Sequence, residues 1–207
     1  MKTILATATA ILATIVLPFA SLAEEKEEGF KSLFNGESLE GWEVAENKES
    51  FKIEDGAIVA HGTRAHAFYV GDVGGAKFKN FELRLEAMTR KSSNGGVFIH
   101  TKFQEKGWPS GYEIQVNNTQ SDPQKTGGIY ATVKNLEPFE DDKWMEMVIR
   151  VEDGKITSIV NGKKLVEEYT PEDGKSKLLP EGGAIALQAH DPGSKVYYRN
   201  IRIKILD

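Results

Sequence analysis

Residues 111–118 read G-Y-E-I-Q-V-N-N, and this stretch predicts a β-strand with one polar and one apolar face. Its apolar side chains alternate strictly with a glutamate and two amides, namely Glu113, Gln115 and Asn117. Because successive side chains of a strand point to opposite faces, these three polar groups line one surface in a row. The row is a candidate binding surface, and an ordinary solvated strand face is the alternative.

The chain on both sides of this stretch consists of short alternating segments separated by turn residues. Two-residue turns of the kind found in type I′ hairpins occur at Asp55-Gly56, Asp153-Gly154 and Asn161-Gly162. Strands are predicted at residues 51–54, 57–60, 81–87, 95–101, 127–133, 144–152, 155–160, 163–168, 184–190 and 195–205. No segment has an amphipathic helical period. The pattern predicts an all-β fold, an antiparallel β-sandwich or jelly roll.

The first residues predict a signal peptide. Lys2 precedes an apolar run from Ile4 to Phe19, and Ser21-Leu22-Ala23 offers small residues where a signal peptidase cuts. The run is short for a transmembrane anchor, which is the alternative. We therefore predict that residues 1–23 are removed, that residues 24–207 form a single domain, and that the protein is exported to the periplasm or the extracellular medium.

Composition excludes several classes of function. The formal net charge of -5 argues against binding nucleic acid or an anionic membrane through bulk charge. The absence of cysteine excludes a thiolate nucleophile, a thiolate zinc site and an iron–sulfur cluster. Without disulfides, an exported chain of this size depends on its hydrophobic core for stability.

Neighbouring predicted strands extend the polar face of residues 111–118. If their apolar side chains enter the core, the opposite side receives His100, Glu113, Gln115, Asn117, Tyr130, Gln188 and His190. Glycine pairs stand at the starts of these strands and permit close approach of a ligand or of a neighbouring backbone. Trp108, in the preceding loop, is either a stacking platform for a sugar or a buried loop anchor. This mixture of groups predicts a site for a neutral, hydroxyl-rich ligand, a carbohydrate.

The strand lacks the second carboxylate of ordinary glycoside hydrolysis. Sandwich-type glycanases often carry E-x-D-x-x-E, whereas this strand reads Glu113-x-Gln115-x-x-Asn118. Both partner positions are amides, which argues against a two-carboxylate mechanism on this strand. An imidazole, His190 or His100, is available instead for proton transfer near neutral pH.

A divalent metal is an open alternative. The four histidines include no pair at two- or four-residue spacing, so a site would need Glu113 and His190 from different strands. Asp191 is either a further ligand or a turn residue before Pro192-Gly193.

Several motifs together resemble one known family, the DUF1080 family, also called the 3-keto-disaccharide hydrolase or 3-keto-glucoside lyase/hydratase domain. The resemblance covers residues 29–206 and rests on L-F-N-G-E-S-L-E-G-W (33–42), N-G-G-V-F-I-H (94–100), G-Y-E-I-Q-V-N-N (111–118), T-G-G-I-Y (126–130), W-M-E-M-V-I-R (144–150), V-N-G (160–162), A-L-Q-A-H-D (186–191) and Y-R-N-I-R-I-K-I-L (198–206). It implies a concanavalin A-like jelly roll.

The resemblance also implies a chemistry that needs one base. A ketone at C3 of a sugar acidifies the C2 proton, so a base can remove it, the glycosidic oxygen leaves from C1, and water then adds. Glu113 or His190 is the implied base, and Gln115, Gln188 and Tyr130 hold the sugar. Relatives commonly have arginine at the position of His100, so the substrate or the activity can differ here. The implied partner enzyme is an upstream sugar 3-dehydrogenase that supplies the substrate.

Two other functions stay open on the sequence. The first is a non-catalytic, secreted carbohydrate-binding module that uses the same face without turnover. The second is a structural domain of an envelope complex, with that face as an interface.

Overall fold

A computed structural model describes residues 27–207, and the predicted signal peptide, residues 1–23, lies outside them. Thirteen strands are found in this part of the chain. They are β1 (Lys31–Ser32), β2 (Trp42–Glu46), β3 (Phe51–Glu54), β4 (Ala57–His61), β5 (Ala65–Tyr69), β6 (Phe81–Thr89), β7 (Asn94–Thr101), β8 (Tyr112–Asn117), β9 (Met145–Glu152), β10 (Lys155–Val160), β11 (Lys163–Tyr169), β12 (Ala184–Ala189) and β13 (Lys195–Ile205).

The strands form two antiparallel sheets that pack as a sandwich, which confirms the predicted all-β jelly roll. The eight-stranded sheet has the order β11-β10-β9-β6-β13-β4-β3, with β1 beside β13. The five-stranded sheet has the order β2-β5-β12-β7-β8. Strand β8, which contains the alternating residues Glu113, Gln115 and Asn117, is therefore an edge strand of the smaller sheet. Its neighbours β7 and β12 are the strands predicted to share its polar face.

One large cluster of apolar side chains fills the space between the sheets. Leu83 and Leu85 of β6 enter it from the larger sheet, and Ile114 and Val116 of β8 enter it from the smaller one. All four are fully buried, as their alternation with polar residues predicts. This cluster fixes the direction of each strand, and so it decides which side chains face away from the core.

The hairpin turns have the predicted geometry. Asp55 and Gly56 have φ of 48° and 75°, and the other two Asx-Gly pairs are also positive at both positions. Positive φ at both central residues defines the type I′ turn, which Asn or Asp followed by Gly adopts most readily.

Two parts of the smaller sheet differ from expectation. Strands β2 and β5 were not predicted. In β5, Ala65 and Ala67 face the core while His66 and Phe68 face outward, so no alternation of polar and apolar residues marks the strand. The predicted strand at residues 127–133 is wrong. This segment makes isolated bridges, and it continues the sheet edge as an irregular turn whose Tyr130 N–H donates to the Glu113 carbonyl oxygen at 2.9 Å.

The outer face of the larger sheet carries ion pairs. Glu27, at the start of the described chain, pairs with Arg84 of β6 at 3.0 Å and with Arg202 of β13 at 2.8 Å. These pairs hold the entry of the chain against the larger sheet. Within residues 27–207, no helix is long and apolar enough to cross a membrane.

Candidate functional site

A cavity of about 460 Å³ opens on the outer face of the five-stranded sheet. Strands β7, β8 and β12 provide its floor, and the loops around Trp108, Asp122 and Lys177 provide its walls. Its lining includes six of the eight residues predicted for the site, which are Trp108, Glu113, Gln115, Tyr130, Gln188 and His190. Glu113 and Gln115 of the polar row on β8 therefore face a cavity rather than open solvent.

Glu113 lies at the centre of the floor and reaches across β7. A Cβ atom placed on Gly96 would lie 2.4 Å from Glu113 Oε1, so the carboxyl group rests directly on the glycine. On the far side of β7, Gln188 Nε2 donates to Glu113 Oε1 at 2.9 Å. Burial raises the pKa of Glu113 to about 7, and this outweighs the hydrogen bond from Gln188 that lowers it. Near neutral pH the carboxyl group is therefore present in both protonation states.

The need for a glycine at position 96 can be tested by comparing alanine substitutions at Gly96 and at its neighbour Gly95, which faces the core. In Gly96→Ala the methyl group should displace the carboxyl of Glu113 while the fold persists, so any turnover that depends on this carboxyl should fall roughly 10- to 100-fold. Gly95→Ala instead meets Tyr198 Oη at 2.8 Å, and it should lower the free energy of unfolding by about 1–3 kcal/mol. Steady-state kinetics and urea unfolding of both variants check this contrast. A Gly96→Ala protein with full activity would contradict the placement of Glu113.

His190 forms a hydrogen-bonded pair with the residue that follows it. His190 Nδ1 donates to Asp191 Oδ2 at 2.7 Å, and Asp191 also accepts from Ser194 Oγ and the Gly193 N–H, both at 2.8 Å. Burial raises the pKa of Asp191, but these three hydrogen bonds outweigh it and hold the pKa below its usual value. Asp191 is thus an ionised acceptor that fixes the imidazole, and Nε2 is the nitrogen left for a ligand.

Trp108 forms a wall of the cavity, and this residue is 49% exposed. The Arg64 guanidinium lies 5.2 Å from the indole centroid, and Glu46 holds both Arg64 and the N–H of Gly107. The His190 ring lies 5.7 Å from Trp108. The side chain is therefore anchored from behind and leaves an aromatic surface free, as a stacking platform requires.

The predicted position of His100 is wrong. An extra residue in β7 opposite β12 shifts the register, and His100 has a φ of 51°, so the alternation reverses at this point. The imidazole lies against Phe81 and bridges two loops, donating to the Lys79 carbonyl at 3.0 Å and accepting from the Leu179 N–H at 3.0 Å. His100 does not line the cavity, and burial lowers its pKa.

Asn117 also departs from its predicted place. It is fully buried, and its Nδ2 donates to the carbonyls of Asp122 and Gln124 at 3.1 and 3.0 Å. Its side chain therefore shapes the loop that carries Asp122 instead of facing the cavity. Gln115 does line the cavity, with its Nε2 3.4 Å from the Gln124 carbonyl.

Three residues that could take part in binding or catalysis were not predicted. Asn94 and Asp122 line the cavity, and Asp122 provides the second carboxyl group that the strand pattern lacks. His66 lies next to Gln188 across β5 and β12, beneath Trp108. Burial lowers the pKa of His66 to about 4, so it is neutral at neutral pH. His66 lies near a bulky aromatic side chain in a strand that was not predicted, and Asn94 precedes a glycine pair. Neither residue gives a distinctive signal in the sequence.

The floor of the cavity and the neighbouring strand β5 contain polar atoms without partners. Within residues 27–207, His66 Nε2, Asn94 Oδ1 and Gln188 Oε1 are buried and make no hydrogen bond. Buried polar atoms are almost always paired, so three unpaired ones in one region indicate a place for a hydrogen-bonding ligand. A metal is not indicated by the same residues, since no cluster of three or more His, Asp or Glu side chains forms in the part of the chain that is described.

Comparison with known proteins gives matches over nearly the whole described chain. A family model for the 3-keto-alpha-glucoside-1,2-lyase-like domain matches residues 29–204. A 3-keto-disaccharide hydrolase of Bacteroides thetaiotaomicron is 25% identical over 87% of this chain and 79% of its own length. A crystal structure from Parabacteroides distasonis, named for a glycosyl hydrolase, is 26% identical with a TM-score of 0.70, over 93% of this chain and 99% of that one.

More distant structures share the fold alone. The carbohydrate-binding module CBM66 from Bacillus subtilis is 10% identical with a TM-score of 0.56, over 79% of this chain and 95% of that one.

Proposed function

We propose a function from one premise: the chain belongs to the family of 3-keto-alpha-glucoside-1,2-lyase-like domains. We infer that it is an exported enzyme that cleaves the glycosidic bond of 3-keto-glycosides by elimination and hydration. The observation that carries this proposal is the carboxyl group of Glu113, whose pKa of about 7 suits proton transfer near neutral pH. It lies on the floor of a sugar-sized cavity among amides that have unpaired oxygens.

Glu113 is the proposed base. Its carboxylate takes the proton from C2, and the electrons of that C–H bond form the enolate with the C3 ketone. The enolate then expels the glycosidic oxygen from C1, which leaves a C1–C2 double bond conjugated with the restored ketone. Addition of water, with hydroxyl at C1 and a proton at C2, releases the free 3-keto sugar.

His190 is the proposed acid for the departing oxygen. It is half-buried at the rim beside Trp108, whereas Glu113 lies on the floor, so the leaving group can exit past the imidazole. Asp191 stabilises the protonated ring and directs Nε2 away from itself. Gln115, Gln188 and Tyr130 bind the sugar hydroxyls in this proposal, and Trp108 stacks on a sugar ring.

One experiment tests the reaction and its chemistry together. Purified protein is incubated in D₂O with a 3-keto-disaccharide, and in parallel with the unoxidised disaccharide. We expect release of the free sugar from the ketone alone, with deuterium at C2 of the 3-keto product. Release without deuterium would contradict elimination and favour hydrolysis by two carboxylates, with Asp122 as the second.

A non-catalytic carbohydrate-binding module is the second candidate. The exposed, anchored indole of Trp108 favours it, because such a surface binds sugars without any chemistry. Measurable affinity for the 3-keto-disaccharide without release of product would support this candidate against the enzyme.

Two parts of the proposal concern the surroundings of the protein. Export is proposed from residues 1–23, which carry the features of a signal peptide. The substrate requires prior oxidation of a sugar hydroxyl at C3, so we propose that a sugar 3-dehydrogenase acts before this protein. Fractionation of cells that express the full chain tests export by locating the processed protein.

A further inference from the structure

Asn94, the first residue of β7, carries an unpaired amide at the edge of the cavity floor. The residue is 3% exposed, and it lines the cavity. Within residues 27–207, its Oδ1 is buried without a hydrogen bond, and the hydrogen bond that Asn94 does make there comes from its backbone N–H and not from the side chain. The amide is therefore unpaired whichever way its oxygen and nitrogen are assigned, and an unpaired amide in such a place indicates a ligand.

Each of the other two amides of the floor already uses one of its N–H groups for a protein acceptor. Gln188 Nε2 donates to Glu113 at 2.9 Å, and Gln115 Nε2 lies 3.4 Å from the Gln124 carbonyl. The phenol of Tyr130 and the indole of Trp108 are at the exposed rim. Among these floor amides, Asn94 is thus the one whose side-chain nitrogen makes no hydrogen bond to the protein within residues 27–207.

The strand sets the distance between Asn94 and the proposed base. Asn94 and Gly96 are two residues apart on β7 and face the same side, about 7 Å from each other. The Glu113 carboxyl rests on Gly96, so one side-chain interval separates it from the Asn94 amide. Two contacts of about 3 Å and one C–C bond span such a gap, with a sugar C2–H above Glu113 and the neighbouring C3 oxygen beside Asn94.

The backbone of Asn94 is also held firmly. Its N–H donates to Ser194 Oγ at 2.9 Å, and Ser194 Oγ donates to Asp191 at 2.8 Å. Asp191 in turn binds His190. The backbone that carries the amide therefore belongs to the same hydrogen-bond network as the proposed acid, which fixes where the side chain begins and favours preorganised binding of a developing charge.

On these grounds, and resting on the proposed function, we propose that Asn94 Nδ2 donates a hydrogen bond to the C3 ketone oxygen and stabilises the enolate. When the Glu113 carboxylate takes the C2 proton, the C–H electron pair forms the C2–C3 double bond, and the C3 oxygen becomes negative. Asn94 binds that oxygen. Return of a solvent proton to C2 reverses the step and leaves every bond balanced.

A substrate without a leaving group isolates this step. A 3-keto-1,5-anhydrohexitol has the ketone and the C2 hydrogen but no glycosidic oxygen at C1 to expel. In D₂O the wild-type protein should exchange its C2 hydrogen for deuterium, which NMR follows directly. Asn94→Ala should lower the exchange rate roughly 100- to 1,000-fold, as loss of one oxyanion donor does elsewhere. Asn94→Asp, which keeps the shape but replaces the donor, should lower it at least as much.

Binding separates this role from simple support of the fold. By calorimetry, wild-type protein should bind the ketone more tightly than the parent alcohol, and Asn94→Ala should lose that preference. Asn80→Ala, an asparagine change just before β6 and away from the cavity lining, should behave like wild type in both measurements. Exchange at the wild-type rate in folded Asn94→Ala would overturn the proposal while leaving the proposed function intact.

A structure of the wild-type protein with the same ketone bound provides a test that does not depend on any substitution. The Asn94 amide should lie within hydrogen-bond distance of the C3 oxygen, and any other donor in that place would overturn the assignment. If wild-type protein neither binds nor exchanges the ketone, the proposed function and the role of Asn94 are both refuted.

Discussion

Replacing Glu113 by Gln is expected to abolish turnover and, at about pH 8, to make the protein more stable than the wild type. Loss of the base should lower kcat by at least roughly 100-fold. The gain in stability has a separate cause. An ionised carboxylate is costly in this cavity, whereas the amide of Gln carries no charge and keeps nearly the same shape.

The sign of the stability change follows from the pKa of Glu113, which rises from 4.5 to about 7 on folding. Between these values the folded protein binds more protons than the unfolded chain. The contribution of this group to stability is full below about pH 4.5 and is lost as the pH rises through about 7. We therefore expect Glu113→Gln to raise the free energy of unfolding by about 1–3 kcal/mol at pH 8 and to have little effect at pH 4.5.

Urea unfolding at the two pH values, with Glu43→Gln as the control, measures this effect. Glu43 is an exposed glutamate of β2, so its replacement should change neither stability nor activity. Equal stabilisation by Glu113→Gln at both pH values would show that the ionisation of Glu113 is not its source. The same pKa predicts that kcat/KM of the wild type falls as the pH drops below about 7, because the base becomes protonated.

The second large effect is expected for His190→Ala, and it should depend on the leaving group. With a sugar as leaving group, kcat should fall roughly 100- to 10,000-fold, because the departing alkoxide lacks its proton donor. With a 3-keto-glucoside of nitrophenol, whose phenolate leaves without protonation, the loss should be far smaller. Steady-state kinetics on the two substrates test this difference.

Asp191→Asn extends this prediction to the orientation of the ring. An amide nitrogen beside His190 Nδ1 would favour the tautomer with its proton on Nε2, and it would remove the charge that stabilises the protonated imidazole. We expect a loss that approaches that of His190→Ala. Ser194→Ala removes one of three donors to Asp191 and should cost much less. For His190→Ala, an equal loss of kcat with the sugar and with the nitrophenol as leaving group would mean that His190 does not act as the acid.

The sequence predicted the parts of this site that local alternation controls. Glu113 and Gln188 face the cavity because Ile114 and Leu187 beside them are drawn into the core. His100 failed because a single extra residue in β7 reverses the alternation, and the cause lies in the pairing with β12. Such a bulge is a property of two strands together, so one strand alone does not reveal it.

Contacts across strands were beyond prediction for the same reason. The contact of the Glu113 carboxyl with Gly96 depends on the register of β7 against β8. His66 reaches the site from β5, a strand whose sequence shows no polar alternation. Asn117 has the right parity for the cavity, yet the loop after β8 uses its amide. The type of each residue was readable from the sequence, but its hydrogen-bonding partner was not.

The ion pairs of Glu27 with Arg84 and Arg202 have a practical consequence. They hold the entry of the chain on the larger sheet, while the cavity opens on the smaller one. A linker attached ahead of Glu27 would therefore leave the molecule with its mouth directed away from the point of attachment. Immobilisation on a resin, or display on a particle, through that end should keep the cavity accessible to dissolved sugars.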